Sequence, residues 1–546
     1  MRLVDWHARS CLVALALCLG GCGGGGGGGD GDGDGPDGPG PQPPSTGGGN
    51  IADLFDPDAT PRERAHEGIA QYLGIVRDPR HAEACTQLDG TTRCPPGARS
   101  GSPAGIAVHD WMARALDALP AMRDATSHPF DIPLFVPRAW GIEIGEGPDR
   151  IAPASMPWYY SGRTPPDGVT GELVSVGPDW LLDGILRADV DGRIALVEGE
   201  RLFNAERPAL RNRLDSLADQ GALGAVVYFP GGPANLVVSQ NYDSRDGLGD
   251  LPTLLVGKRD GAALEALDGR TARLVLDAEY RNGAQSVPAS AASRPAASSN
   301  VSAWLPGFDD SLWIVIGTPL NSWQLAAAER GPGIAVFLHL AQHLAERVER
   351  DGALPHPVYF VATGGHEVFQ IGLQRFLGCW NPDRIGAYIH AGAALISRGH
   401  DTGPDGEPVP LDRAARTRTL SISENIPLRL IANPAFSDPA LAPLFDFAPT
   451  LFKPGEAALA WEAGIPTVSL AGTNVYHHTA GDDESQILDR AVDPILGAYR
   501  TVVDQLLDGD LAGIRRAEIG GALRGPPSSD FPCAGVPAGI GSAAAD

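Results

Sequence analysis

IVIGTPLNSWQLAAAERGPGIAVFLHLAQHLAERV (Ile314–Val348), then a polar connection, then HPVYFVATGGHEVFQIGLQRFL (His356–Leu377): these two stretches decide the fold. The apolar run Trp313–Gly317 has the length and branching of a buried strand. A loop containing Gly331 and Gly333 is expected next, then a helix with apolar residues at helical spacing through Leu344. Val358–Ala362 repeats the strand pattern and runs into the Gly364-Gly365 turn and a further helix. Strand, loop, helix, strand, loop, helix predicts an α/β protein with a doubly wound, mostly parallel sheet flanked by helices. In that architecture chemistry gathers at the carboxyl ends of the strands, where Thr318–Asn321 and Gly364–Glu367 emerge.

Three more stretches extend the pattern. SSNVSAWLPGFDDSLWIVIG (Ser298–Gly317) opens it, Ala463-Gly464-Ile465-Pro466-Thr467 forms a later strand start, and His478-Thr479-Ala480-Gly481-Asp482 follows. Their order and spacing over roughly 300–507 resemble the M28 family of aminopeptidases. The resemblance implies two zinc ions held by two His and three carboxylates, with a Glu beside one ligand as general base. This chain departs from that pattern at most positions. Pro319 and Asn321 stand where the first His and the Asp after it belong, and proline offers no donor atom. Glu329-Arg330 replaces the Asp-Asn pair that bridges the metals, and His366-Glu367 replaces the Glu-Glu pair. His390-Ala391-Gly392 follows the strand where the next Asp belongs. His478 matches the final His, and Glu456 lies near where an Asp is frequent.

Two adjacent cations need a bridging carboxylate and several further donors, so the usual two-zinc centre is not expected. Three readings stay open. One zinc is held by some of Glu329, Glu367, His390 and His478. Alternatively these groups form a hydrogen-bonded network with Arg330 paired to Glu329 or Glu367, lined by Thr318, Asn321, Glu456 and Asp482. In the third, hydrolysis proceeds without metal, with His366 or His478 as base, although no GxSxG or HExxH motif supports it. His366 and Glu367 are the candidate catalytic pair, an imidazole near neutrality being a competent proton acceptor.

Ahead of the core, ADVDGRIALVEGE (Ala188–Glu200), SLADQGALGAVVY (Ser216–Tyr228) and LPTLLVG (Leu251–Gly257) read as turns, a helix and buried strands. Residues 171–276 resemble the protease-associated domain, a β-rich module inserted in such enzymes. Residues 51–170 are expected to be helical and to pack on a core spanning 298–510. Thr60-Pro61 reads as a helix cap with a first-turn proline.

The N-terminus predicts the location. Arg2 and Arg9 precede a short apolar run, Cys11–Leu19, too short to span a bilayer, and Leu19-Gly20-Gly21-Cys22 fits a bacterial lipobox. Residues 1–22 are then a lipoprotein signal, Cys22 the acylated residue, and Gly23 points to the outer membrane. Residues 23–50, nearly all Gly, Asp, Pro and Ser, read as a flexible acidic tether. The tail, 511–546, is expected to be loosely ordered.

A net charge of −25 argues against nucleic acid as partner. A peptide or protein ligand in the old cleft is expected instead. In an oxidising envelope Cys85 is expected to pair with Cys94, and Cys379 with Cys533. The reading that combines these features is a lipid-anchored, peptidase-like protein with a degenerate zinc site; the alternative is a hydrolase with one metal or a non-standard site.

Overall fold

The computed structural model describes residues 58–518 and 539–540, apart from 84, 89, 91–93, 95, 177–180, 183–184, 187, 200–213, 242–248, 282–297 and 448–454. The expected signal, tether, Cys22, Cys533 and most of the tail lie outside the described residues; the described start of the tail, Leu511–Arg516, is a helix rather than the loosely ordered chain expected there.

Eight strands form the core sheet: β1 (Arg123–Phe130), β2 (Ser298–Leu305), β3 (Trp313–Pro319), β4 (Val358–Thr363), β5 (Ile385–Ala391), β6 (Thr419–Ile422), β7 (Phe445–Phe447) and β8 (Thr467–Ala471). Their order is β7-β6-β8-β5-β3-β4-β2-β1. The central four, β4, β3, β5 and β8, run parallel, while β2 and β6 flank them antiparallel. Every residue of β3, β4 and β5 is buried, which is why their sequences are continuous apolar runs rather than alternations.

The helices include α1 (Pro61–Arg77), α2 (Pro103–Asp117), α3 (Ala327–Asp351), α4 (Ile371–Cys379), α5 (Ile426–Ala435), α6 (Gly455–Glu462) and α7 (Val492–Asp508). Side chains of successive strand residues point to opposite faces. Ile314, Ile316, Phe360 and Ala362 accordingly pack in one cluster with α1, α2, α3 and α7. Trp313, Val315, Tyr359 and Val361 pack in another with α4 and α6. Helices on both faces make the sheet doubly wound, as expected. Thr60 closes a reciprocal capping box with Glu63 at the start of α1, bearing out that cap.

The Gly331 and Gly333 segment is not a loop. It forms the early turns of α3, which begins at Ala327 and carries Pro332 without a break. Pro332 is the sixth residue of the helix, past the orphan N–H groups of the first turn, so it forgoes one intrahelical bond, the one its N–H would have made to the Ala328 carbonyl.

Residues 51–170 are not purely helical. β1 joins the core sheet, and Leu134–Ile144 and Ser155–Pro157 are strands of a second eight-stranded sheet. Leu134–Ile144 is rich in aromatic and β-branched residues, and its pairing along Thr271–Arg281 overrides any helical tendency. That sheet also contains Val169–Ser175 and the strands Ile194–Glu198, Gly224–Tyr228 and Thr253–Val256, the last three anticipated in the insert, around its own apolar core.

Cys85 and Cys94 are buried thiols rather than the expected disulfide, with a hydrogen bond between them. Burial and that contact push the Cys94 thiol up. Cys379 is disulfide-bonded. Among the described residues, no helix is long and apolar enough to cross a membrane.

Candidate functional site

The carboxyl ends of β3, β4 and β5 meet the start of α3 at a buried polar cluster. Its anchor is Asp482, whose carboxylate accepts from the N–H groups of Ala328 and Glu329 and from Asn474 Nδ2. Its backbone carbonyl also accepts from the Ala327 N–H. Asp482 thus satisfies the orphan donors of α3, whose own preceding residue, Ala326, has a left-handed backbone and no capping side chain. Burial and the nearby Glu329 push the Asp482 carboxyl up to about 7.

That cap aims the next side chains, Glu329 and Arg330, into the site. Arg330 Nη2 donates to Glu367 Oε1 at 2.5 Å and lies 2.9 Å from Glu329 Oε1. Its Nε donates to the Asn321 carbonyl at 2.6 Å. All three charged residues are at most 3% exposed. One guanidinium therefore holds both carboxylates where the resemblance places metal cations. Its planar fork suits two carboxylates better than an ammonium would.

His478 completes the cluster from a left-handed backbone position, φ +60°, uncommon for a residue other than glycine. Its Nδ1 faces the Ser239 carbonyl at 3.1 Å, so that nitrogen carries the proton and Nε2 turns inward. Nε2 lies 3.4 Å from Glu329 Oε1 and 3.8 Å from Glu367 Oε2. His477 stacks on it at 4.2 Å and sets Nδ1 3.6 Å from Glu329 Oε2. Burial resists ionisation of Glu329, but His477, Arg330 and His478 hold its carboxyl well below the usual range.

His390 does not join this group. Its Nδ1 pairs with Ser469 Oγ at 2.9 Å and its Nε2 faces Glu456 at 4.0 Å, so its expected role beside Glu329 is corrected. The neighbouring side chain Tyr388 stacks on it, and burial lowers its pKa to about 4, favouring the neutral ring. Glu456 is the centre of this second cluster. It accepts from Thr363 Oγ1 at 2.8 Å and pairs with His366 Nδ1 at 3.1 Å. Burial opposes its ionisation, yet the bonds to His366, the nearby His390 and Thr363 bring its carboxyl below the ordinary value. His366 is therefore oriented by Glu456 and not by Glu367.

The remaining lining residues are structural. Thr318 Oγ1 donates to the Ala391 carbonyl, tying β3 to β5. The Asn321 side chain accepts from the Gly365 N–H and donates to the Ala98 carbonyl. A backbone segment of the second sheet's unit seals the cluster: the Ser239 N–H donates to the His478 carbonyl, and Gln324 Nε2 donates to Ser239 Oγ. A void of about 20 Å³ touches Glu367, room for about one water.

Two metals do not fit these residues. Pro319 supplies no donor, His390 turns to Glu456, and the Arg330 guanidinium sits between the two glutamates. One ion could be held by Glu329, His477 and His478, whose ligand atoms lie within 4.8 Å of one another. Neither Glu329 oxygen has a hydrogen bond of good geometry, nor does Glu367 Oε2, so the cluster still presents acceptors to a cation. His477 was not singled out from the sequence. Only its adjacency to His478 marks it, and adjacent residues on a regular element would point apart; the left-handed turn at His478 brings both rings to Glu329.

No protein-family model matches the sequence, and no curated protein does. Solved structures match its shape. The zinc aminopeptidase BSAP from Bacillus subtilis is 14% identical with a TM-score of 0.57, over 83% of this chain and 97% of that one. A peptidase M28 precursor from Shewanella amazonensis SB2B is 14% identical at 0.56, over 82% and 97%. An aminopeptidase from Aneurinibacillus sp. strain AM-1 is 16% identical at 0.52, over 83% and 95%. The fold is the M28-like aminopeptidase fold. At such identities the likeness establishes the aminopeptidase architecture, and the chemistry rests on the residues present.

Proposed function

We propose that this chain is a peptidase-like protein whose usual two-zinc chemistry is gone, acting as a binding module for a peptide or protein rather than as an aminopeptidase. One observation carries the reading: the Arg330 guanidinium lies buried between Glu329 and Glu367, supplying the positive charge that metals would bring. An arginine cannot act as a Lewis acid or lower the pKa of a bound water as zinc does. The sealed cluster adds support, since its charged groups are nearly out of solvent. The lipobox at Leu19–Cys22 supports a lipid-anchored protein of the bacterial cell envelope, at the outer membrane, tethered through 23–50. The order of strands within 171–276 supports a protease-associated module, a lid over the peptidase-like core at 298–510.

A second reading is favoured by Glu329, His477 and His478: a hydrolase with one zinc ion. There Arg330 must release Glu329, and the exposed side of His366, fixed by Glu456, would serve as proton acceptor. Metal analysis by inductively coupled plasma mass spectrometry separates the two. The first reading expects no stoichiometric metal after purification without chelator and zinc add-back. About one zinc per chain, lost in both His478→Ala and His477→Ala, would overturn it in favour of the second.

A further inference from the structure

Several basic side chains line a cleft of about 480 Å³, distinct from the buried cluster. One wall is the hairpin formed by Arg398–Thr402 and Pro408–Ala414, with the Arg416 and Thr417 segment beyond it. The other is the 230–233 turn and Lys258 of the second sheet's unit. Lys258 Nζ donates to the Gly406 carbonyl, and Arg259 pairs with Glu407, so the hairpin tip is fastened across the cleft.

Four cations, Lys258, Arg398, Arg413 and Arg416, line this space against one carboxylate, Asp401. Few of their donors are committed. Arg398 gives Nε to the Ser485 carbonyl. Arg413 reaches Asp401 only at 3.4 Å. The Arg416 side chain has no hydrogen bond or ion pair among the described residues. His400, which also lines the cleft, packs edge-on against Tyr476. Chains of net charge −25 repel anions at long range, so a local excess of positive charge has to be built by placement. Guanidinium groups that share a cleft with a single carboxylate repel one another, and a bound anion removes that cost while meeting their fork geometry.

We propose that this cleft binds a small ligand bearing carboxylate or phosphate groups, gripped by Arg398, Arg413 and Arg416. Its volume falls within the range of small-molecule sites. The site stands on its own residues and does not depend on the loss of zinc chemistry. Asn474 nevertheless links the two, since it lines the cleft and donates to Asp482, the cap of α3.

Isothermal titration calorimetry on the full chain at low salt tests the site, with inorganic phosphate and the dipeptide glutamyl-glutamate as probes. At least one is expected to bind, with Kd rising about tenfold or more in Arg398→Gln/Arg413→Gln and in the separately made Arg416→Gln. Affinity should also fall as sodium chloride is raised. Tighter binding of the dipeptide assigns a carboxylate ligand, and tighter binding of phosphate a phosphorylated one. Failure of both probes at about 10 mM, or equal affinity in all variants, overturns the proposal. Because the metal analysis is a separate measurement, either reading can fail alone.

Discussion

Replacing Arg330 by methionine tests the centre of the site, because it keeps most of the side-chain volume and deletes the charge. Arg330 makes three close polar contacts, to Glu367, Glu329 and the Asn321 carbonyl. Without it, two carboxylates at most 3% exposed face each other with only the imidazoles of His477 and His478 beside them. Removing one partner of a buried ion pair costs about 3–5 kcal/mol, since the remaining charge stays desolvated. Part of that loss is recovered when one carboxyl takes up a proton, as crowded buried acids do. Urea unfolding should therefore show Arg330→Met destabilised by about 3–5 kcal/mol at pH 7.5 and by clearly less at pH 5.5. Space and negative charge freed together should also raise the zinc content of the variant above that of the wild-type chain. A loss below about 1 kcal/mol at pH 7.5, equal at both pH values, would show that the guanidinium does not neutralise these glutamates.

Other consequences can be measured on the same protein. The Asp482 carboxyl, raised to about 7 in the folded state against about 3.9 unfolded, binds its proton more tightly when folded. Its contribution to stability is greatest below pH 4 and falls between about 4 and 7, by at most about 4 kcal/mol if it titrates alone. Asp482→Asn should flatten that decline in unfolding experiments across this window, and an unchanged pH profile would refute the assignment. Gly333→Ala places a Cβ 2.8 Å from the Gly392 carbonyl oxygen and 3.1 Å from Thr318 Oγ1. The helix-propensity gain of about 1 kcal/mol is then outweighed by overpacking of about 1–3 kcal/mol. Chemical denaturation should show a net loss, and a stabilised variant would mean that α3 can move off β5.

The core sheet was legible because its central strands are buried on both faces and read as unbroken apolar runs, β3 and β4 most plainly. The start of α3 was not, since Gly331, Pro332 and Gly333 are breakers in isolation and only the Asp482 cap, 149 residues or more along the chain, makes a helix of them. The strands Arg123–Phe130 and Leu134–Ile144 were hidden for a related reason: their partners, Ser298–Leu305 and Thr271–Arg281, lie more than a hundred residues away. Within the site, the pairing of Arg330 to Glu329 or Glu367 was one of the open alternatives, and the structure has it facing both. The separation of His390 and Glu456 from Glu329 was not readable, because residue types fix what can ligate but not which way a ring turns.

An arginine between two buried glutamates is an expensive arrangement, and that cost is informative. Three buried charges lose most of their hydration, and replacing such a triad by well-packed apolar residues is often neutral or stabilising by about 1–4 kcal/mol. If Glu329, Arg330 and Glu367 only filled space, the triple variant Glu329→Leu/Arg330→Met/Glu367→Leu would be at least as stable as the parent. The same variant removes every charge by which Arg330 bridges α3 and the segment after β4, leaving His478 with no carboxylate to face. A variant equal or greater in stability that retains ligand binding would make the triad a passive remnant of the aminopeptidase fold. Equal stability with binding lost would mean instead that the charges hold the site's geometry for function, which is the outcome this reading expects. Unfolding measurements paired with calorimetry on one protein distinguish them.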